Sequence, residues 1–155
     1  MEPMEVIDRM KDAIDLTADG RYYKAKAIFE KDHEYKRYPD AMSAYALCLA
    51  AVDKDYECAK TLCLNALKHD LYNSEIYLNL GKIFLVGNNK ALAIRAFRKG
   101  LGIDDTHVGL IKLACSLGIR RVPVLPFLSR RNAVNRVLGF VSYKLGFETF
   151  SLVRS

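Results

Sequence analysis

The sequence predicts an all-α chain in which pairs of helices repeat. Small and aromatic residues recur at an interval of 34 residues, which accommodates two helices and the turns between them. The segments between glycine and proline breaks have helical length, and 51% of the 155 residues are hydrophobic, so one domain can bury a core. These observations favour stacked helix pairs over a fold that contains a sheet.

Two series of residues carry the interval. Their members occupy matching positions in successive units, namely Ala25, Ala59 and Ala93, and then Phe29, Cys63 and Phe97. Small residues allow the two helices of a unit to approach closely, whereas large residues fill the seam between them. Because a single helix pair cannot bury its apolar face, the units must stack on one another.

The third unit carries the most specific motifs. Its residues 77–84, YLNLGKIF, resemble the aromatic-x-x-Leu-Gly-x-x-Tyr signature of tetratricopeptide repeats, and residues 93–97, AIRAF, resemble the Ala-x-x-x-Phe signature. The second unit is more degenerate, with Ser43 for the first aromatic residue, Ala46-Leu47 for Leu-Gly and Cys63 for Phe. The first unit keeps only the signature of its second helix. The resemblance covers residues 6–118 and implies an α-solenoid of about three helix hairpins that binds another protein.

Turn and capping residues set the bounds of seven predicted helices. The predicted spans are about 4–18, 21–37, 40–53, 56–69, 74–87, 89–101 and 106–117. The polar residues expected to cap the later helices are Asp40, Ser74, Asn88 or Asn89, and Asp105 or Thr106. Helix two ends before Pro39, because proline disfavours helix in the preceding residue. Gly87 is expected to end helix five in a left-handed conformation.

Residues 119–155 differ from the rest of the chain in charge and form a predicted C-terminal extension. They hold one acid, Glu148, and seven cations, namely Arg120, Arg121, Arg130, Arg131, Arg136, Lys144 and Arg154. The whole net charge of +6 therefore lies here, and residues 1–118 are neutral. Two prolines predict an extended linker over 120–127, and an apolar face predicts a capping helix over about 130–145.

Three interpretations of the basic extension remain open at this point. The first is a cap that covers the last helix pair with a polar outer face. The second is an amphipathic basic helix on an anionic membrane surface or an acidic protein. The third is contact with nucleic-acid phosphates, which the composition does not favour because aromatic residues are not interleaved with the arginines.

The sequence offers no catalytic constellation, and we predict a protein that is not an enzyme. His33, His69 and His107 fall near helix ends, where they interact with the helix dipole. The four cysteines form no C-x-x-C pair, so we expect buried free thiols and no metal site. No glycine-rich phosphate loop follows a strand, and no cofactor is expected.

The resemblance implies that the first helix of each unit lines a concave groove. The residues expected to contact a guest there are Tyr45, Cys48, Leu78, Asn79, Lys82, Lys112 and Ser116. Some family members clamp a partner's terminal carboxylate, but Glu75 and apolar residues replace parts of that clamp here. We therefore expect a shallow, largely apolar groove that takes a helix or an extended strip.

The expected function is that of a protein-binding adaptor or scaffold, or a chaperone-like module. The alternatives are surface association through the basic extension and a structural homo-oligomer. The start of the chain lacks an apolar signal region, and no stretch approaches the length of a membrane span. We expect a cytoplasmic protein, with peripheral membrane contact as the alternative.

Overall fold

The computed structural model describes residues 3–118, which form seven α-helices and no strand. The helices are α1 (Pro3–Ala18), α2 (Tyr22–Asp32), α3 (Pro39–Val52), α4 (Tyr56–His69), α5 (Ser74–Val86), α6 (Lys90–Ile103) and α7 (Val108–Ser116). The all-α prediction is confirmed. The linker and helix predicted within 119–155, together with the basic residues there, lie outside the described residues.

The helices pack in the order in which they occur in the chain. α1 packs against α2, α3 against α4, and α5 against α6, and the short turns make each pair antiparallel. α3 also contacts α1 and α5, while α2, α4 and α6 each contact the next odd-numbered helix. Among the described residues, the pairs α2–α4 and α4–α6 make no more than marginal contact. The odd-numbered helices therefore carry most of the packing.

Residues 34 positions apart in the three helix pairs are similarly buried, but their side chains differ in volume. Gly81 lies so close to Phe97 that an added Cβ would be 2.6 Å from Phe97 Cδ1. The residues 34 positions earlier are Leu47 and Cys63, and both are fully buried. A large residue on α3 therefore accompanies a small one on α4, whereas α5 and α6 have the opposite arrangement. This exchange of volume accounts for the degenerate motif of the second unit.

The second helix ends earlier than predicted. α2 ends at Asp32, His33 adopts a left-handed conformation with φ 52°, and Glu34–Arg37 forms a 3₁₀ turn. The break allows the Tyr35 side chain to point into the core, where the centroid of its ring lies 4.3 Å from the centroid of the Tyr45 ring. The prediction of a continuous helix to residue 37 was wrong because tertiary burial of Tyr35 outweighs local helix propensity.

Several predicted caps are displaced by one or more residues. Asn73 rather than Ser74 caps α5, and Pro39 opens α3, so that Asp40 is free to accept a hydrogen bond from Asn73 Nδ2 at 2.6 Å. Gly87 has φ −80°, and the left-handed residue is Asn88. The span of α4 and the cap at Asn89 are confirmed.

The cysteines divide into two buried and two exposed thiols, so the expectation that all are buried was wrong for Cys58 and Cys115. Burial raises the pKa of Cys48 to about 11 and that of Cys63 to about 12. At neutral pH, we expect a thiol-reactive disulfide reagent to label Cys58 and Cys115 rapidly and to leave the other two protected until the protein is unfolded. Mass spectrometry of the labelled peptides checks this. Rapid labelling of Cys63 in the folded protein would contradict the burial.

Candidate protein-binding surface

The predicted groove residues lie on the odd-numbered helices. Tyr45 and Cys48 belong to α3, Leu78, Asn79 and Lys82 to α5, and Lys112 and Ser116 to α7. α3 and α5 pack directly against each other. α7 meets α5 at its first turn, where His107 Nε2 lies 2.8 Å from Glu75 Oε2. α3 and α5 are thus neighbours over their lengths, whereas α7 packs on α6 and touches α5 only near its first turn.

The two predicted groove residues on α3 are buried and hold neighbouring helices in place. The Tyr45 hydroxyl donates a hydrogen bond to Glu30 Oε1 at 3.2 Å, and burial with the nearby Glu30 charge raises the pKa of Tyr45. Cys48 Sγ lies 3.4 Å from Thr17 Oγ1. These contacts join α3 to α2 and to α1. A guest would have to displace them in order to reach either side chain.

The next two predicted residues, Leu78 and Asn79, are also buried. Asn79 Nδ2 donates a hydrogen bond to Ser43 Oγ at 3.0 Å, and Ser43 Oγ donates to the Asp40 carbonyl at 2.9 Å. The Asn79 amide, which the sequence predicts to contact a guest, is therefore engaged within the protein. An aromatic ring at position 43 would leave the buried Asn79 amide without its acceptor, so this bond favours serine there.

We expect Asn79→Ala to lower the free energy of unfolding by about 1.5 kcal/mol, because a buried hydrogen bond between two helices is lost. Chemical denaturation followed by circular dichroism measures the change. Lys112→Ala is the matched control, since an exposed side chain on α7 should alter stability by less than about 0.5 kcal/mol. An unchanged midpoint for Asn79→Ala would show that the bond contributes no stability.

Lys82, Lys112 and Ser116 are the predicted residues whose side chains reach solvent. Lys112 and Ser116 are exposed, and Lys82 is half-buried. Within residues 3–118, neither lysine forms an ion pair or a hydrogen bond. Burial lowers the pKa of Lys82, and the charge of Glu75 partly offsets that effect. A half-buried ammonium group that forms no hydrogen bond favours the approach of an anionic or carbonyl oxygen.

The contact between Glu75 and His107 was not predicted. His107 caps α7, where its Nδ1 accepts a hydrogen bond from Leu110 N at 3.3 Å, so the proton is assigned to Nε2, which faces Glu75. We had assigned this cap to Asp105 or Thr106. Histidine seldom caps a helix, and the sequence carries no local signal for it, because the partner Glu75 is supplied by another helix.

A small cavity of about 130 Å³ lies away from this surface, between α4, α5 and α6. Tyr56, Phe84 and Leu92 line it, and the ion pair between Glu57 and Lys60 stands beside it. Both charges of the pair are already balanced. The two charged side chains at this cavity are therefore paired with each other and not left for a ligand.

No family model, curated protein or solved structure matches this chain. Among residues 3–118, none of the helices combines the length and the apolar character of a membrane span. In the same part of the chain, no group of three or more His, Cys, Asp or Glu side chains is arranged to hold a metal ion. The surface therefore has to be interpreted from its own geometry.

Proposed function

We propose that this chain is a small helical-repeat solenoid of the tetratricopeptide type and that it binds a protein segment on the surface of its odd-numbered helices. The observation that carries the proposal is the packing order. α1, α3 and α5 contact one another in sequence, α7 packs on α6, and within residues 3–118 no even-numbered helix makes more than marginal contact with the next even-numbered one. In a stack of this kind, one helix of each pair lines the inner surface, where extended peptides or helices bind.

The side chains on this surface suit a guest that is mostly apolar with one anionic or carbonyl group. On α3, Ala51 is a half-buried small residue, whereas Ala44 is part of the core. Lys82 and Lys112 supply unpaired positive charge on α5 and α7. Buried apolar area provides most of the affinity in such a groove, while the charges orient the guest.

The first test compares two double variants that change the net charge equally. Lys82→Glu with Lys112→Glu alters the proposed surface, and Lys24→Glu with Lys68→Glu alters exposed cations on α2 and α4. The wild type and both variants are each coupled to a resin and used to capture proteins from a cell extract, which are quantified by mass spectrometry. We expect at least one protein to be captured by the wild type and by the control variant but not by the Lys82→Glu, Lys112→Glu variant. If no protein is lost selectively, the proposed surface is not the binding site.

The position of Lys82 also makes a prediction about stability and pH. Because burial lowers the pKa of Lys82, the charged form is less favourable in the folded than in the unfolded chain. Lys82→Met should therefore raise the free energy of unfolding by about 0.5 kcal/mol at neutral pH, as at other functional sites. The gain should shrink as the pH rises through the pKa of Lys82, because the neutral amine loses little by burial. A gain that is constant from pH 7 to pH 11 in thermal unfolding would contradict this explanation.

A further inference from the structure

The outward face of α1 carries a continuous stripe of acidic side chains. Its members are exposed and consist of Glu5, Asp8, Asp12 and Asp15, with Asp19 following in the turn at the end of the helix. Their spacing alternates between three and four residues, which aligns them along one side of a helix. Within residues 3–118, none of the five takes part in an ion pair. One exposed cation, Lys11, lies beside them and leaves the face acidic.

The outward face of α6 carries the opposite charge. Lys90, Arg95, Arg98 and Lys99 are all exposed, and the sequence between Glu75 and Asp104 contains no acid. In the described part of the chain, none of these four cations forms an ion pair. A helix face with four unpaired cations and no acid repels other positively charged faces and attracts an acidic surface.

Each of the two faces also has exposed apolar side chains at one end. Met4 and Ile7 are 69% and 48% exposed at the start of α1. Ile103 and Val108 are 36% and 78% exposed where α6 ends and α7 begins. Apolar contacts give an otherwise electrostatic interface a component that salt does not screen.

We propose that the chain associates head to tail, with α1 of one copy lying antiparallel on α6 of the next. In this register Met4 faces Ile103, Asp8 faces Lys99 and Asp12 faces Arg95. Successive pairs are four residues apart on each helix, and four residues span about 6 Å along any α-helix. The three pairs can therefore form at the same time when the two helices run antiparallel. Antiparallel helix dipoles also attract each other.

A second copy of the chain is the occupant that satisfies both faces at once. The basic segment 119–155 of the same chain could neutralise α1, but it carries the same sign of charge as α6. Head-to-tail contacts use a different patch on each copy, so the association continues beyond a dimer unless it closes into a ring. The predicted signature is a size that grows with protein concentration.

Sedimentation velocity of the full chain at low and high salt tests the proposal. The wild type should show a sedimentation coefficient that rises with concentration at low salt and falls back at high salt, as the Debye length shortens. Asp8→Lys with Asp12→Lys, and separately Arg95→Glu with Lys99→Glu, should each weaken association at least about tenfold. The control variant Lys24→Glu with Lys68→Glu should associate like the wild type.

Charge exchange separates a specific interface from general repulsion. An equimolar mixture of the α1 variant and the α6 variant should associate, because each offers the face that the other needs. A chain that carries all four reversals should also associate. A wild type that remains monomeric at the lowest salt, or association that survives either pair of reversals, would overturn the proposal. So would a monomer in which chemical cross-links join α1 to the chain's own segment 119–155.

Discussion

Replacing Gly81 with alanine should lower the free energy of unfolding by about 2 to 3 kcal/mol. An added Cβ would lie 2.6 Å from Phe97 Cδ1 and 2.7 Å from its Cζ, and Phe97 is fully buried. The ring cannot move without opening the seam between α5 and α6. The penalty of overpacking outweighs the gain of about 1 kcal/mol that alanine brings to a helix.

Gly87→Ala is the matched control for this experiment. Gly87 lies at the end of the same helix with φ −80°, and the nearest atom to an added Cβ is 3.5 Å away. Its effect should stay within about 0.5 kcal/mol. Urea denaturation of both variants measures the difference. If the two substitutions had equal effects, the close approach of α5 and α6 at Gly81 would be wrong.

The second large effect is a coupling between Leu47 and Cys63. Leu47→Ala should cost about 3 kcal/mol by leaving a cavity, and Cys63→Phe should cost about 3 kcal/mol by overpacking. Together they reproduce the pair Ala13 and Phe29, which lie 34 positions earlier and are both fully buried. The double variant should therefore be at least about 2 kcal/mol more stable than the sum of the single changes predicts.

A double-mutant cycle in urea measures this coupling. Leu101→Ala combined with Cys63→Phe serves as the control, because Leu101 belongs to a separate buried cluster and the two changes should add. A sum of about 6 kcal/mol approaches the whole stability of a domain, so the control double variant should be largely unfolded without urea, whereas Leu47→Ala with Cys63→Phe should keep a cooperative transition. Simple additivity at Leu47 and Cys63 would show that the second unit does not pack in register with the first.

The helices were predictable where local signals and packing agree. α4 was predicted over its full span because the apolar spacing of Ala59, Cys63 and Ala66 repeats at helical intervals, and in the structure Asp55 caps it. The end of α2 was not predictable. His33 carries no breaking signal, and the turn there is set by Tyr35 packing against a residue on another helix.

The surface residues were predictable only in part. The 34-residue register correctly gave the helix on which each predicted groove residue stands, but it gave no information about depth. Tyr45 and Asn79 are buried and donate hydrogen bonds to Glu30 and Ser43, which are distant from them in sequence. Lys82 is only half-buried, and the nearby Glu75 charge does not form an ion pair with it. The repeat thus predicts which helix carries a residue, but it cannot predict which side chains are buried by hydrogen bonds between helices.

The most direct test of the proposed function is to map a guest onto the protein. Peptides can be selected from a random display library on the full-length chain and then titrated into isotope-labelled protein, with amide chemical shifts followed by NMR. We expect the shifts to concentrate on α3, α5 and α7 and to weaken with Lys82→Glu and Lys112→Glu. Shifts confined to α2, α4 and α6, or unchanged binding by that variant, would contradict a binding surface on the odd-numbered helices.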